Sequence, residues 1–142
     1  MAGTVEGIHV SPDPHRLPAA VDAVQVTEEG VRGDRKFGRR DLTLIEAEAL
    51  EGLERDTGIE LSAAESRRQV LTRGIRLNDL VGKRFAVGEV ECVGEEWCEP
   101  CAHLQRLTKP GVLRGLVHRG GLRADIVRGG RIAVGDEVGA LG

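Results

Sequence analysis

Apolar positions along the chain recur in short runs separated by polar ones, and turn residues close nearly every run. Val5 to Val10 has strand character and ends at Ser11-Pro12-Asp13-Pro14-His15, with Pro18 close behind, which predicts a loop. Val21, Ala23, Gln25 and Val26 then lead into a turn at Glu28-Glu29-Gly30. Leu42-Thr43-Leu44-Ile45 predicts a short strand. Ala47, Leu50 and Leu53 follow at helical spacing until Gly58 stops the helix. Thr43 and Glu46 offer a capping box for that helix, unless Thr43 still belongs to the strand. From Arg67 onward the pattern is short strand, turn, short strand: Gln69 to Thr72, Arg73-Gly74, Leu77 to Leu80, Gly82 to Gly88, and Val90 to Val93. Strands this closely spaced suit a meander or barrel, leave no room for βαβ crossovers, and exclude a parallel α/β sheet. After Cys101 the chain reads as mostly helical to His118, with Leu113, Leu116 and Val117 on one apolar face after a turn at Lys109-Pro110-Gly111. Leu122 to Val127 and Ile132 to Val138 are closing strands split by Gly129-Gly130, with a turn at Gly135-Asp136. The predicted fold is mainly β, barrel-like, with two or three short helices.

Length and composition narrow the class. At 142 residues the chain fits one domain, 1–142, with one hydrophobic core. Its 30% charged and 40% hydrophobic residues are those of an ordinary globular protein. No stretch approaches the roughly 18 to 20 apolar residues of a membrane span, and Met1-Ala2-Gly3-Thr4-Val5-Glu6 lacks the basic-then-apolar pattern of a leader. The expectation is a soluble, cytoplasmic protein with no membrane partner. A formal net charge of -3 requires any anion site to be a local cluster of Arg and Lys. Aromatics at 2%, with no Tyr, leave no set of stacking platforms, which argues against nucleic acid as a partner. Twenty glycines suit many tight turns.

Three cysteines, Cys92, Cys98 and Cys101, are an odd number without a secretion signal, so reactive or ligand thiols are better candidates than a disulfide framework. The Cys98-x-x-Cys101 spacing alone admits several chemistries. A structural zinc site wants four ligands, and His103 and His118 are poor substitutes for a second pair. A thioredoxin-like pair wants a βαβ context that the pattern does not offer. For Cys92 and Cys98 the plainer expectation is small, buried apolar residues. Cys101 differs because Pro100 precedes it, and a helical stretch from Ala102 to Arg106 would set the thiol near a helix's positive end. A thiolate there, with Arg106 a turn away, would serve as nucleophile or soft-metal ligand.

The second constellation is basic. Arg32, Arg35 and Lys36 flank Gly33-Asp34, with Arg39 and Arg40 near, while Arg67, Arg68 and Arg73 sit on and beside a predicted strand. Singly these are ordinary solvated charges. Two Gly-associated basic loops in one acidic protein could together form a phosphate pocket, because Arg offers a bidentate fork and Gly lets backbone N–H groups approach. His9 and His15 have no partner at readable spacing and receive no role. Trp97 is expected in the core or in a pocket wall beside the cysteine loop.

The order of motifs carries more than any one of them. Gly30-Val31-Arg32-Gly33-Asp34-Arg35, the run Asp41 to Leu50, Arg67-Arg68-Gln69-Val70-Leu71-Thr72-Arg73-Gly74-Ile75, Leu80 to Phe85, Glu99-Pro100-Cys101 and Gly129 to Asp136 occur in this sequence as they do in the MOSC family. The chain resembles a stand-alone MOSC domain, named for the C-terminal domain of molybdenum cofactor sulfurases, from about Gly7 to Val138. The resemblance implies a β-rich barrel-like fold and a site for the molybdenum cofactor (molybdopterin), with Cys101 at the cysteine that either ligates molybdenum or carries sulfur as a persulfide. A thiolate suits both roles. The pterin's phosphate would need cations, for which Arg67, Arg68, Arg73 and Arg35 are the candidates. Gln69 stands where a shorter amide such as Asn is expected. Three functions follow as expectations. One is molybdenum-dependent oxidoreduction of small N-hydroxylated compounds, a second is a sulfur carrier, and the third is a non-catalytic binding domain. The chain contains neither a pyridoxal-phosphate domain nor an electron-transfer domain. Either activity would therefore need a cysteine desulfurase, itself carrying pyridoxal phosphate, or an electron-transfer protein in trans.

Overall fold

A computed structural model describes residues 2–98, 111, 115, 116 and 119–141. Eleven strands are present among them: β1 (Ala2–Val10), β2 (Ala19–Val21), β3 (Ala23–Thr27), β4 (Gly30–Val31), β5 (Asp41–Glu46), β6 (Val70–Arg73), β7 (Arg84–Val87), β8 (Val90–Trp97), β9 (Leu122–Arg128), β10 (Gly130–Ala133) and β11 (Glu137–Ala140). Helices α1 (Ala47–Thr57) and α2 (Ala63–Ser66) lie between β5 and β6.

Seven strands close on themselves in the order β1-β6-β5-β9-β8-β7-β11, with β11 returning to pair with Ala2, Gly3 and Thr4 of β1. Closure removes the sheet edges that would otherwise present unpaired backbone groups. The long β1 bulges between Val5 and Gly7, and its last three residues pair with β2. A separate three-stranded sheet, β10-β3-β4, lies beside the barrel. Alternate residues point inward, so Val5, Ile8, Leu44, Val70, Phe85, Cys92, Leu122 and Val138 join one buried core.

Every rung of the barrel is antiparallel except β5 with β6, which run parallel, as Leu44 opposite Val70 shows. The two helices make that crossover, so the chain contains one βαβ unit within a largely antiparallel barrel. It lies ahead of the strand-turn-strand region from Arg67, whose strands do follow one another without crossovers. Helix α1 covers the outside of β5 and leaves Asp41 to Ile45 buried on both faces. A smaller cluster of Leu53, Leu61 and Leu116, with Leu50 and Ile59 against it, fills the far side of α1.

Several local expectations change. Thr43 lies in β5, and Glu46 occupies the N-cap position of α1 without a side-chain cap, so the Thr43–Glu46 capping box is not formed. Gly58 does end α1, in the left-handed conformation at φ 76°, with its N–H donating to the carbonyl of Glu54. Helix α2, which the apolar pattern does not announce, starts with the capping box Ser62–Glu65. Leu77–Leu80, expected as a strand, is a 3-10 turn whose Leu77 and Leu80 reach the core while Asp79 faces out. Ile132 to Val138 is two strands in different sheets, because the turn at Val134-Gly135 redirects the chain.

Candidate functional site

Two cationic segments far apart in sequence meet where β1 and β8 end and β6 and β9 begin. The first is residues 32–40, which follow β4 as a series of tight turns. Asp34 N–H donates to the carbonyl of Val31, Phe37 N–H to that of Asp34, and Gly38 and Arg40 N–H to that of Glu29. Arg35 N–H donates to the carbonyl of Ser11 at 2.9 Å, which fastens these turns to the end of β1. The second segment leaves α2 through Arg67, which caps the helix in the left-handed conformation at φ 60°. That reversal sets Arg68 and Gln69 at the mouth of β6.

A buried polar network joins the two. Asp34 is 6% exposed and Gln69 3%. One Asp34 oxygen accepts from Ser11 N–H at 2.7 Å; the other accepts from Lys36 N–H at 3.0 Å and from Gln69 Nε2 at 3.1 Å. Gln69 Oε1 in turn accepts from Thr43 N–H at 2.9 Å, and Gln69 N–H donates to Thr43 Oγ1 at 3.0 Å. Each donor and acceptor named is satisfied in a place where an unmet one would cost about 1–3 kcal/mol.

Above this network the charges gather. Arg68 Nη2 donates to the carbonyl of Cys98 at 3.1 Å and its Nε to the carbonyl of Gly120 at 2.8 Å, so the guanidinium ties the end of β8 to the start of β9. Gly121 lets the start of β9 approach β5: it sits at φ 115°, and a Cβ there would run into the carbonyl of Leu44. The Lys36 ammonium is held below its ordinary pKa, first by burial and then by Arg68 and Arg35; the Cys98 thiol and Asp34 pull the other way. Depression of a lysine by two arginines marks a place where positive charge outweighs negative. Arg67 Nη1 is buried with no hydrogen-bond partner among the described residues. Lys36 with Arg35 and Arg68 near it offers cationic donors of the kind a phosphate-bearing group takes, and the Arg67 guanidinium, one residue before Arg68, keeps an N–H to spare.

Of the residues singled out from sequence, Arg35, Arg67 and Arg68 come to this end of the barrel. Arg73 does not. It lies at the opposite end of β6, about 16 Å along the chain from Arg68 at the usual strand rise, bound to Glu6 at 2.6 Å and to Glu51 at 2.7 Å. Cys101 lies outside the described residues, as do Glu99, Pro100, His103, Arg106 and His118. Cys98 is half-buried, with its N–H donating to the carbonyl of Gly121 at 2.7 Å. Cys92 is fully buried, and its thiol is pushed up to about 12, chiefly by burial, then by Asp125 and Glu91. Trp97, expected in the core or in a pocket wall beside the cysteine loop, is not in the core: it is 44% exposed, on the stretch after the bulge at Gly94 where Glu95 and Glu96 are also at the surface. Among the described residues no three His, Cys, Asp or Glu side chains are grouped to hold a metal ion. No helix among them is long and apolar enough to cross a membrane.

Sequence reasoning places Lys36 in a basic loop but not among the four phosphate candidates, and it gives the Asp34–Gln69 pair no part in the site. The cue was present: Gly33-Asp34 is a turn followed at once by two cations. What the sequence withholds is that the Asp is buried and faces an amide 35 residues on.

A closed seven-strand barrel that gathers Arg35, Lys36 and Arg68 beside Cys98 at one end is the frame of the candidate site. The sequence pattern of the MOSC domain matches residues 9–139. The chain belongs to the MOSC domain family, the family of molybdenum cofactor-binding and sulfurase C-terminal domains. No curated protein matches it. Among solved structures, the YuaD protein of Bacillus subtilis superimposes with a TM-score of 0.86 at 17% identity, covering 97% of this chain and 94% of YuaD. YiiM of Escherichia coli gives 0.76 at 17%, covering 100% of this chain and 70% of YiiM. YiiM of Geobacillus stearothermophilus gives 0.76 at 14%, covering 99% and 75%. At these identities the likeness is one of fold.

Proposed function

We propose that this chain binds the molybdenum cofactor, with Lys36, Arg67 and Arg68 receiving its phosphate, Arg35 at the mouth, and Cys101 supplying the thiolate. The observation that carries this reading is geometric: the Asp34–Gln69 hydrogen bond brings the turn that carries Arg35 and Lys36 to Arg68, whose guanidinium donates to the carbonyl of Cys98, three residues ahead of Cys101. Membership of the MOSC family supports the choice of ligand. When bound, the cofactor supplies a dithiolene-held molybdenum able to exchange electron pairs with a substrate.

The protein's own part is positional. Asp34 and Gln69 hold the loop cations against the strand cations, and Arg68 fixes the backbone from which the cysteine segment departs. The reaction proposed is reduction of small N-hydroxylated compounds. Removing oxygen from an N–OH group consumes two electrons and two protons and releases water, so an electron-transfer protein must act in trans. The proposed setting is cytoplasmic.

Molybdenum and pterin content of protein purified from a host that makes the cofactor tests this directly. Wild type should carry both near one per chain, and Cys101→Ser should lose most of its molybdenum. Absence of molybdenum and pterin from both proteins would overturn the reading. A persulfide on Cys101 after incubation with a pyridoxal-phosphate cysteine desulfurase, without bound molybdenum, would favour a sulfur carrier instead.

A further inference from the structure

Resting on that reading of the anion site, we infer that Gln69 is a positioning residue that sets the separation of its two cationic limbs. The limbs have no covalent reason to face one another, since Lys36 and Arg68 are 32 residues apart, one in the turns after β4 and the other between α2 and β6. The side-chain link between them is the Gln69 amide. Its Nε2 donates to Asp34 Oδ2 at 3.1 Å, and that same oxygen accepts from the N–H of Lys36 at 3.0 Å. Its Oε1 accepts from Thr43 N–H at 2.9 Å on the neighbouring strand. The amide thus spans from β5 to the turn that carries Lys36, and the length of the side chain fixes the span.

Both ends of the amide matter, and one charge-neutral group serves both. A carboxylate at position 69 would still accept from Thr43 but would oppose the Asp34 carboxylate at contact distance. An Asn would withdraw the amide by about 1.5 Å, one carbon–carbon bond, and could keep only one of the two contacts. Two like-charged limbs held close repel each other, so without the tie the loop limb relaxes outward when no anion is bound.

The experiment compares wild type with Gln69→Asn and Gln69→Glu, using two readouts. Amide hydrogen exchange is measured at Ser11 and Lys36 against core amides such as Val70 and Phe85. Affinity for inorganic phosphate is measured by calorimetric titration of each protein without cofactor. In Gln69→Asn, exchange at Ser11 and Lys36 should quicken at least tenfold while the core amides hold, and phosphate should bind several-fold more weakly. Gln69→Glu, if folded, should show both effects more strongly. Unchanged exchange and affinity in Gln69→Asn would overturn the positioning role, and so would exchange that quickens uniformly through the barrel, which marks a general loss of stability. Failure of wild type to bind phosphate would overturn the anion-site reading on its own, because the exchange readout requires no anion.

Discussion

Arg68 donates through one guanidinium to the carbonyl of Cys98, just past one strand, and to that of Gly120, just ahead of the next. A single cation therefore both contributes to the positive site and holds shut the backbone on either side of the segment that contains Cys101. In this residue a structural tie and the proposed anion-binding role meet, whereas among the described residues the Arg73 guanidinium, five residues on, pairs with Glu6 and Glu51.

Replacing Arg68 should separate charge from fork. Arg68→Ala leaves two carbonyls without a partner and should cost roughly 2–3 kcal/mol in chemical denaturation. Arg68→Lys keeps the charge but reaches at most one of the carbonyls, so it should recover phosphate affinity better than stability.

Lys36 should behave as a group that destabilises the empty protein. Its folded pKa lies below 10.5, so between those two values the unfolded chain holds more protons and stability rises with pH. Below that window the folded protein bears the desolvated charge in full. Lys36→Met should raise the thermal midpoint at neutral pH, flatten the rise of stability toward pH 10.5, and weaken phosphate binding. A bound anion favours the charged amine, so wild-type affinity should fall as pH climbs through the lowered pKa.

How far the sequence foretold this is uneven. The β5–α1 segment was legible because Leu42, Leu44, Ala47, Leu50 and Leu53 change period from two to helical at one point, and Gly58 closes the helix. Leu77–Leu80 was misread because two apolar residues three apart satisfy a strand and a 3-10 turn equally over four positions. Arg35, Arg67 and Arg68 were legible as cations near glycines, but the same reasoning drew in Arg73. Only the barrel's geometry separates the two ends of β6. Gln69 drew notice solely for its extra methylene, since nothing in a linear chain shows which residue the amide will face.

Cys92 offers a control on thiol chemistry. With its thiol pushed up to about 12 and no solvent access, it should resist alkylation at pH 8 in the folded protein, while half-buried Cys98 reacts measurably faster. Peptide mapping after iodoacetamide treatment checks this; Cys92 labelled as fast as Cys98 would contradict the burial described.

Gly121→Ala should cost about 1–3 kcal/mol, since it sets a side chain at φ 115° against the carbonyl of Leu44. Its carbonyl accepts from Cys98 N–H and that of Gly120 before it accepts from Arg68, so thermal stability and phosphate affinity should fall together.

The most direct test of the account is the pterin content per chain of Arg68→Ala set beside Arg73→Ala, both purified from a cofactor-producing host. Arg73→Ala should retain wild-type content, while Arg68→Ala should lose at least nine-tenths of it. Equal retention in the two variants, or loss confined to Arg73→Ala, would contradict the assignment of the anion site to the end of the barrel where Lys36, Arg68 and Cys98 meet.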